Sequence, residues 1–297
     1  MPKLLIEWIL SKPKQVLIWI LLITSLACMG YQNIALNSSY KSFFDGDDPL
    51  LMAMNQQEAT YSKYDNILII VGVSEGDVFS PSALSALHQL TEAGWQAPYS
   101  SRVDSIINYN HTEGLEDELI VAHLFEASPS SLSPQVLQQA KAIVMSTPSL
   151  VGNYVSKDAT AATVFITFSV SDNPLEESIE ISQHIHQLVD QVKQTHPELD
   201  IHITGTIENA AAFTDATVQD VLTLIPLAYA IIVILLIVLM RSIWATVITL
   251  TVVTFTTLIT MGLKTWINGD INSINSFAPT MIMTIAVADC VHIFVSF

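Results

Sequence analysis

The sequence predicts a membrane protein in which an α-helical transmembrane bundle carries an inserted α+β domain outside the membrane. Composition is the first observation behind this fold class. Of the 297 residues, 51% are hydrophobic and only 13% are charged, and the mean hydropathy is +0.46. About a quarter of the residues in an average soluble domain are charged, so the chain is short of solvating side chains. This deficit favours a membrane protein over a purely soluble enzyme.

The distribution of charge is the second observation. The net charge is −17, and residues 31–220 hold 25 of the 28 acidic side chains and 6 of the 11 basic ones. One long, acidic, polar segment is therefore flanked by apolar segments. A nucleic-acid partner is disfavoured for this segment, because binding phosphates needs a basic face.

Four apolar runs, each long enough to cross a bilayer core at about 20 residues, are the third observation. They cover 16–36, 221–240, 243–263 and 275–297. The third run is rich in threonine, whose hydroxyl can bond to the preceding helical turn and so tolerate lipid. Pro226 lies in the outer turn of the second run, where we expect it to bend the helix rather than end it. The predicted organisation is a cytoplasmic segment and first helix (1–36), an α+β domain (37–220), and helices two to four (221–297).

The first run also has the layout of a secretory signal peptide, since lysines precede it and Leu26–Cys28 faintly resembles a lipoprotein cleavage site. Ser25 stands where such a site has a large aliphatic residue, and the apolar character continues to Leu36. An uncleaved helix is therefore favoured. A signal-peptide-bearing or anchored soluble binding domain remains an alternative, which the three later apolar runs disfavour.

Basic residues set the expected orientation. Lys3, Lys12 and Lys14 precede the first helix, and Arg241 lies in the short turn between the second and third helices. Positive residues favour the cytoplasmic side, so both places are expected there, although the lone Lys264 falls on the other side. The segment 37–220 is then extracytoplasmic. In a Gram-negative host, this makes the chain a multi-pass inner (plasma) membrane protein with a periplasmic domain.

Within the polar segment, β-branched runs and amphipathic stretches alternate. We expect strands at 66–73, 103–109, 163–168 and 200–204, and helices at 81–95, 134–145 and 174–195. This order predicts an α+β sandwich with helices on one sheet face. The stretch 110–133 shows no clear pattern.

Other polar features give no sharper function. Asp45–Asp48 could hold a cation, but lacks the other ligands of a calcium loop, so a turn and helix cap are favoured. The histidines are expected to be solvated rather than to bind metal, since residues two apart on a helix diverge; they are His184, His186, His196 and His202. Cys28 and Cys290 both lie in apolar runs. No cofactor motif, metal site or Ser/His/Asp arrangement is visible, so we expect no enzyme activity and no cofactor.

The fourth apolar run carries the most informative pair, Asp289 and His292. Asp289 lies about 14 residues after Asn275, near the bilayer middle at about 1.5 Å per residue. His292 follows three residues later, on the same helical face. Two adjacent ionisable residues at this depth usually mark a proton or ion pathway. The alternative is a hydrogen-bonded structural pair inside a helix bundle.

These features together resemble the resistance-nodulation-division superfamily, in its MMPL-type branch of exporters of hydrophobic and amphiphilic compounds. The matching segments are Ser42–Pro49, Thr204–Gly205 with Asn209–Asp220, the Arg241–Ser242 turn and Ala288–His292. The resemblance covers essentially the whole chain, and the last segment is its most specific part. It implies that residues 37–220 are a porter domain and that Asp289 takes part in proton translocation, with His292 beside it. Where the family usually has glycine before the aspartate, this chain has Ala286 and Ala288, which are small enough for close helix packing.

The resemblance also implies two helical repeats and a second porter domain, whereas the sequence stops at Phe297. We therefore expect the N-terminal part of a proton-driven exporter of lipids or amphiphiles. Its expected partners are the substrate, protons, the bilayer and a missing second half or complementary chain, with a homo-oligomer also possible. The alternatives are a sterol-sensing-type regulatory membrane module without transport, or a non-functional truncated fragment.

Overall fold

A computed structural model of the chain describes residues 8–36, 40–61, 65–115, 118–125, 132–171, 175–267, 269–271 and 275–296. Lys3, Asn37, Pro174 and Phe297, which start, end or flank predicted segments, lie outside the described residues. The chain divides into two compact units. One combines residues up to Phe43 with those from Phe213 onward, and the other is Phe44–Ala212. The sequence prediction placed the corresponding boundaries at 36/37 and 220/221.

The elements are as follows. The main helices are α1 (Pro13–Cys28), α2 (Pro49–Thr60), α3 (Pro81–Trp95), α4 (Pro134–Ser146), α5 (Leu175–Thr195), α6 (Thr206–Met240), α7 (Ile243–Ile267) and α8 (Ala278–Ser296). The strands are β1 (Ala35–Leu36), β2 (Asp65–Val73), β3 (Ser100–Asp104), β4 (Asn110–Leu115), β5 (Glu118–His123), β6 (Ala161–Phe168), β7 (Leu199–Thr204) and β8 (Asp270–Ile271).

Four strands of the α+β unit form an antiparallel sheet in the order β3–β6–β2–β7. Leu68 on β2 is opposite Phe165 on β6 and Thr204 on β7. Helix α3 joins β2 to β3, helix α5 joins β6 to β7, and β6 lies between β2 and β3, which is the split βαβ arrangement. Helices α3 and α5 contact each other and the sheet. The segment thus has the α+β arrangement expected from its alternation of strands and helices.

The core of this unit lies between the sheet and the two helices. Strands β2 and β6 bury alternate residues on one face, because successive side chains of a strand point to opposite sides. Burying each large aliphatic side chain contributes about 1.5–3 kcal/mol. The fully buried members include Ile67, Ile69, Val71, Leu84, Leu87, Leu90, Val164, Ile166, Ile181 and Ile185.

The predicted second strand, 103–109, is wrong in position, since β3 ends at Asp104. A turn follows, in which the Ser105 backbone N–H donates to Asn108 Oδ1 at 2.8 Å and Asn108 Nδ2 donates to the Val103 carbonyl at 2.7 Å. The asparagine side chain satisfies the backbone groups locally, so the ladder stops there. The chain then forms a separate hairpin of β4 and β5, in the stretch that the sequence left unassigned.

Three helical segments among the described residues are long and apolar enough to cross a membrane: Pro13–Asn33, Thr206–Met240 and Ile243–Ile267. The second continues through Pro226, as predicted. The fourth predicted span corresponds to a shorter apolar helix, Ala278–Phe294. The structure therefore gives three candidate spans among its described residues, and the count of four stays a prediction.

Candidate functional site

Helix α8 carries the predicted proton-binding residues and packs on its neighbours through one face. Met283 and Val287 lie one turn apart, with exposed fractions of 0% and 8%. They form an apolar cluster with Val253 of α7 and Leu236 of α6. This i, i+4 contact fixes the rotation of α8 about its axis, because residues so spaced share a face.

Asp289 and His292 lie on the opposite face of α8. Both side chains are exposed, as is Ile285 one turn before Asp289, which is 62% exposed. The described helices therefore cover the Met283–Val287 face of α8, whereas Asp289 and His292 on the other face remain exposed. The structure places Asp289 and His292 on one helical face, as their spacing predicted.

The two alanines before Asp289 differ in their surroundings. Ala286 is half-buried and packs against the cluster of Met283 and Val287, whereas Ala288 is exposed. Cys290 is half-buried and carries a free thiol. Ala286 thus lies at the edge between the packed face and the Asp289 face.

A close contact between α1 and α7 was not predicted from the sequence. A Cβ atom added to Gly30 would meet the Gly262 carbonyl oxygen, and one added to Gly262 would meet the backbone of Ala27. The Tyr31 hydroxyl donates to the Leu258 carbonyl at 3.2 Å, and Trp266 Nε1 donates to the Leu26 carbonyl, also at 3.2 Å. Small residues that allow backbones to approach are a common basis of helix association in membranes.

The threonines of α7 mostly bond to their own helix, as predicted. Thr251, Thr254 and Thr257 each donate to the carbonyl four residues earlier, at 2.8–2.9 Å. Thr249 differs, since it is fully buried and its hydroxyl has no hydrogen-bond partner among the described residues.

Comparison with known families supplies the context for this geometry. A model of the MMPL family matches residues 46–291, which span most of the α+β unit, helices α6 and α7, and α8 as far as Val291. The chain belongs to the MMPL family. No curated protein matches the chain at a significant level. The MMPL match, with the three long apolar helices, identifies a membrane protein and an RND/MMPL-type transporter module.

Within the α+β unit of this MMPL chain, Asp48 has the capping role predicted for Asp45–Asp48. Its carboxylate accepts from the backbone N–H groups of Leu50 and Leu51, at 2.7 and 3.3 Å. These are two of the unsatisfied donors in the first turn of α2. The Asp48 carboxylate therefore serves as the N-cap of α2.

The histidines of the MMPL chain lie in separate places. His186 Nε2 is 2.9 Å from Glu208 Oε1, and His202 Nε2 is 3.0 Å from Asp200 Oδ2. His184 and His186 are exposed. The prediction of solvated histidines is wrong for His196, whose side chain is only 14% exposed.

His196 belongs to a side-chain cluster that the sequence did not reveal. Its Nδ1 is 2.9 Å from Ser82 Oγ, which also donates a short hydrogen bond to Glu198. Ser82 lies in the first turn of α3 and the other two between α5 and β7. Ser82 is 114 positions from His196 and 116 positions from Glu198 in the sequence. No spacing motif could have indicated the cluster, because only the fold brings these elements together.

Proposed function

We propose that this MMPL chain is the N-terminal part of an exporter of lipids or amphiphilic compounds that is driven by the proton-motive force. The observation that carries the proposal is the position of Asp289 and His292, on one exposed face of an apolar helix in an MMPL chain. In this proposal, Asp289 binds and releases the transported proton, and His292 delivers it. Transport involves no covalent chemistry and no cofactor.

The energetic basis is the cost of a charge in the bilayer. An ionised carboxylate near the bilayer centre is unfavourable by several kcal/mol, whereas the protonated form is not. Binding and loss of a proton at Asp289 can therefore change which helix packing is favoured. Alternation between two packings, coupled to proton movement down its gradient, is what a secondary exporter requires.

The proposal includes a covering element for the Asp289 face. Helices α6 and α7 pack on the opposite side of α8, at Met283 and Val287. An ionisable residue in a membrane helix almost always faces the bundle interior or a water-filled cavity. We infer that a second helical half, a complementary chain or another copy covers this face in the working transporter.

The proposed orientation places the α+β unit in the periplasm and the Arg241–Ser242 turn in the cytoplasm of a cell with an inner membrane. Arg241 in the short turn between two apolar helices supports a cytoplasmic location for that turn, because positive residues in short loops favour the cytoplasmic side. The Ser11–Lys14 end of the first helix is basic, in keeping with the same orientation.

Asp289→Asn tests the proposal. The amide keeps the size and hydrogen bonding of the carboxyl but cannot titrate, so export should be abolished while membrane insertion is preserved. His292→Ala should slow export or shift its pH optimum without abolishing it. Export of a fluorescent amphiphile is measured in vesicles with an imposed pH gradient, from cells that make the chain with its complementary half.

Cys290→Ser is the matched control, because it changes a neighbouring side chain on the same helix by a single atom. It should export like the wild type. Wild-type export by Asp289→Asn would remove this residue from the mechanism. Substrate response without any proton flux would favour a sensor over a transporter, and export by the 297-residue chain alone would contradict the need for a covering half.

A further inference from the structure

A cavity of about 380 Å³ lies in the α+β unit, where β2 ends and where α3 and β7 begin. Val73 and Leu199 supply its apolar wall, Glu75 and Glu198 its carboxylates, and Ser80 and Ser82 its hydroxyls. The volume is within the range of about 300–1,000 Å³ that is typical of small-molecule sites. The combination of an apolar wall with a few polar groups is also typical of such sites.

The polar side of the cavity is held in place by hydrogen bonds. Ser82 Oγ contacts both His196 Nδ1 and the Glu198 carboxylate, and His196 Nδ1 is 3.7 Å from Glu198. The bond from Ser82 lowers the pKa of Glu198 below its ordinary value, so the carboxylate is charged at neutral pH. Serine and glutamate meet at the same ring nitrogen of His196. A catalytic triad would place them at the two different nitrogens, so this arrangement fits binding rather than nucleophilic catalysis.

The charged residues that line the cavity indicate whether its ligand is a cation or an anion. Two of the lining residues are acidic and none is basic. The described residues contain no group of three or more histidine, cysteine or acidic side chains that could hold a metal ion. An organic cation is therefore favoured over a metal ion.

We propose that this cavity binds a small organic cation with a primary ammonium group on a short aliphatic chain. An ammonium has three N–H donors, and the carboxylate of Glu198, the carboxylate of Glu75 and the hydroxyl of Ser82 are three acceptors on the cavity wall. The aliphatic chain lies against Val73 and Leu199. This site is independent of the proposed proton site and adds ligand binding by the α+β unit to proton-driven export.

Binding of n-butylammonium to the full chain in detergent micelles tests the proposal by ligand-observed NMR titration. Glu198→Gln should weaken binding about tenfold, which is about 1.4 kcal/mol, because the ammonium loses a hydrogen bond to a charged acceptor. Glu75→Gln and Ser82→Ala should each weaken it by a smaller factor. Tetramethylammonium, which lacks N–H donors, and butyrate, which is an anion, should bind much less well.

Glu180→Gln is the matched control, because Glu180 is an exposed carboxylate of the same unit that does not line the cavity and instead accepts from the Tyr99 hydroxyl. Its affinity should equal that of the wild type. Circular dichroism verifies that each variant is folded, and Ser82→Ala, which keeps both carboxylates, serves if Glu198→Gln unfolds. Absence of saturable binding to the wild type would overturn the proposal. So would an equal loss of affinity in Glu180→Gln, which would show diffuse attraction to an acidic chain. Neither result depends on proton-coupled export.

Discussion

Gly30 lies directly against the backbone of Gly262, at the contact between the first transmembrane segment and α7. A Cβ atom at Gly30 would meet the Gly262 carbonyl oxygen, the Trp266 ring and, at 2.8 Å, Thr265 Oγ1. Backbone and ring atoms cannot move aside as the end of a flexible side chain can. Glycine is therefore required at position 30 because the two backbones approach so closely, and not because its backbone angles are unusual.

Gly30→Ala should destabilise the membrane unit, because the added methyl group forces the turn that follows α1 away from α7. Overpacking of this kind costs about 1–3 kcal/mol. The loss is measured as a lower unfolding midpoint in detergent. Gly46→Ala is the control, since a Cβ atom there would have nothing within 4 Å. Equal midpoints for the two variants would contradict the close contact.

Asp48→Ala should lower the free energy of unfolding of α2 by about 1 kcal/mol, which is the usual contribution of an N-cap. This helix buries none of its residues, so little packing can compensate for the lost cap. Hydrogen exchange of the 49–60 amides, followed by mass spectrometry, should be about fivefold faster. The control is Asp47→Ala, which removes a neighbouring exposed carboxylate. Similar exchange in both variants would show that the cap does not hold the helix.

Asp158 should make the α+β unit sensitive to strong acid. Its carboxylate accepts from Ser156 Oγ at 2.6 Å and Thr160 Oγ1 at 2.9 Å, and these bonds lower its pKa to about 2. An aspartate in the unfolded chain has a pKa of about 3.9. The carboxylate therefore stabilises the fold fully above that pH, and the stabilisation is lost as the pH falls towards 2.

Thermal unfolding between pH 5 and pH 2 tests this titration. Asp158→Asn should unfold at a lower temperature than the wild type at pH 5, and the difference should shrink as the pH approaches about 2. Asp190→Asn, which alters an exposed carboxylate on α5, is the control. A difference that stays constant over the whole pH range would mean that the carboxylate charge is not responsible.

Cysteine labelling should show the proposed orientation of the chain. A cysteine replacing Gln138, which is exposed on α4, should react with an impermeant reagent from outside the cell. A cysteine replacing Ser242, exposed in the α6–α7 turn, should react only after the inner membrane is opened. Both are made in a background without Cys28 and Cys290. The reverse pattern of labelling would refute the orientation.

Apolar patterning predicted the elements that have a regular buried face. The β-branched run at 66–73 predicted β2, and the spacing of Leu84, Leu87 and Leu90, all fully buried, predicted α3. Helix α2 was missed because it buries no residues, so its apolar side chains follow no core-facing stripe. Leu50, for example, is 79% exposed. The cap at Asp48, followed by Pro49 at the first helical position, was the sequence signal of the start of α2.

Of the two candidate sites, one could be predicted from the sequence and the other could not. The Asp289–His292 pair was found from the sequence because its spacing of three is local to one helix. What covers that face is decided by packing between distant elements, which periodicity does not report. The cluster of Ser82, His196 and Glu198 was missed for the same reason, since its members meet only when α3 and β7 are in place.

The contact between Gly30 and Gly262 can form only late in synthesis, because the ribosome makes the chain from its N-terminus. The second glycine is synthesised 232 positions after the first, which takes roughly 12–46 s at about 5–20 residues per second. Residues 44–212, whose contacts are largely internal, emerge and can fold during that interval. The first helix must therefore persist in the bilayer as a single segment until α7, which supplies its packing partner, has been made.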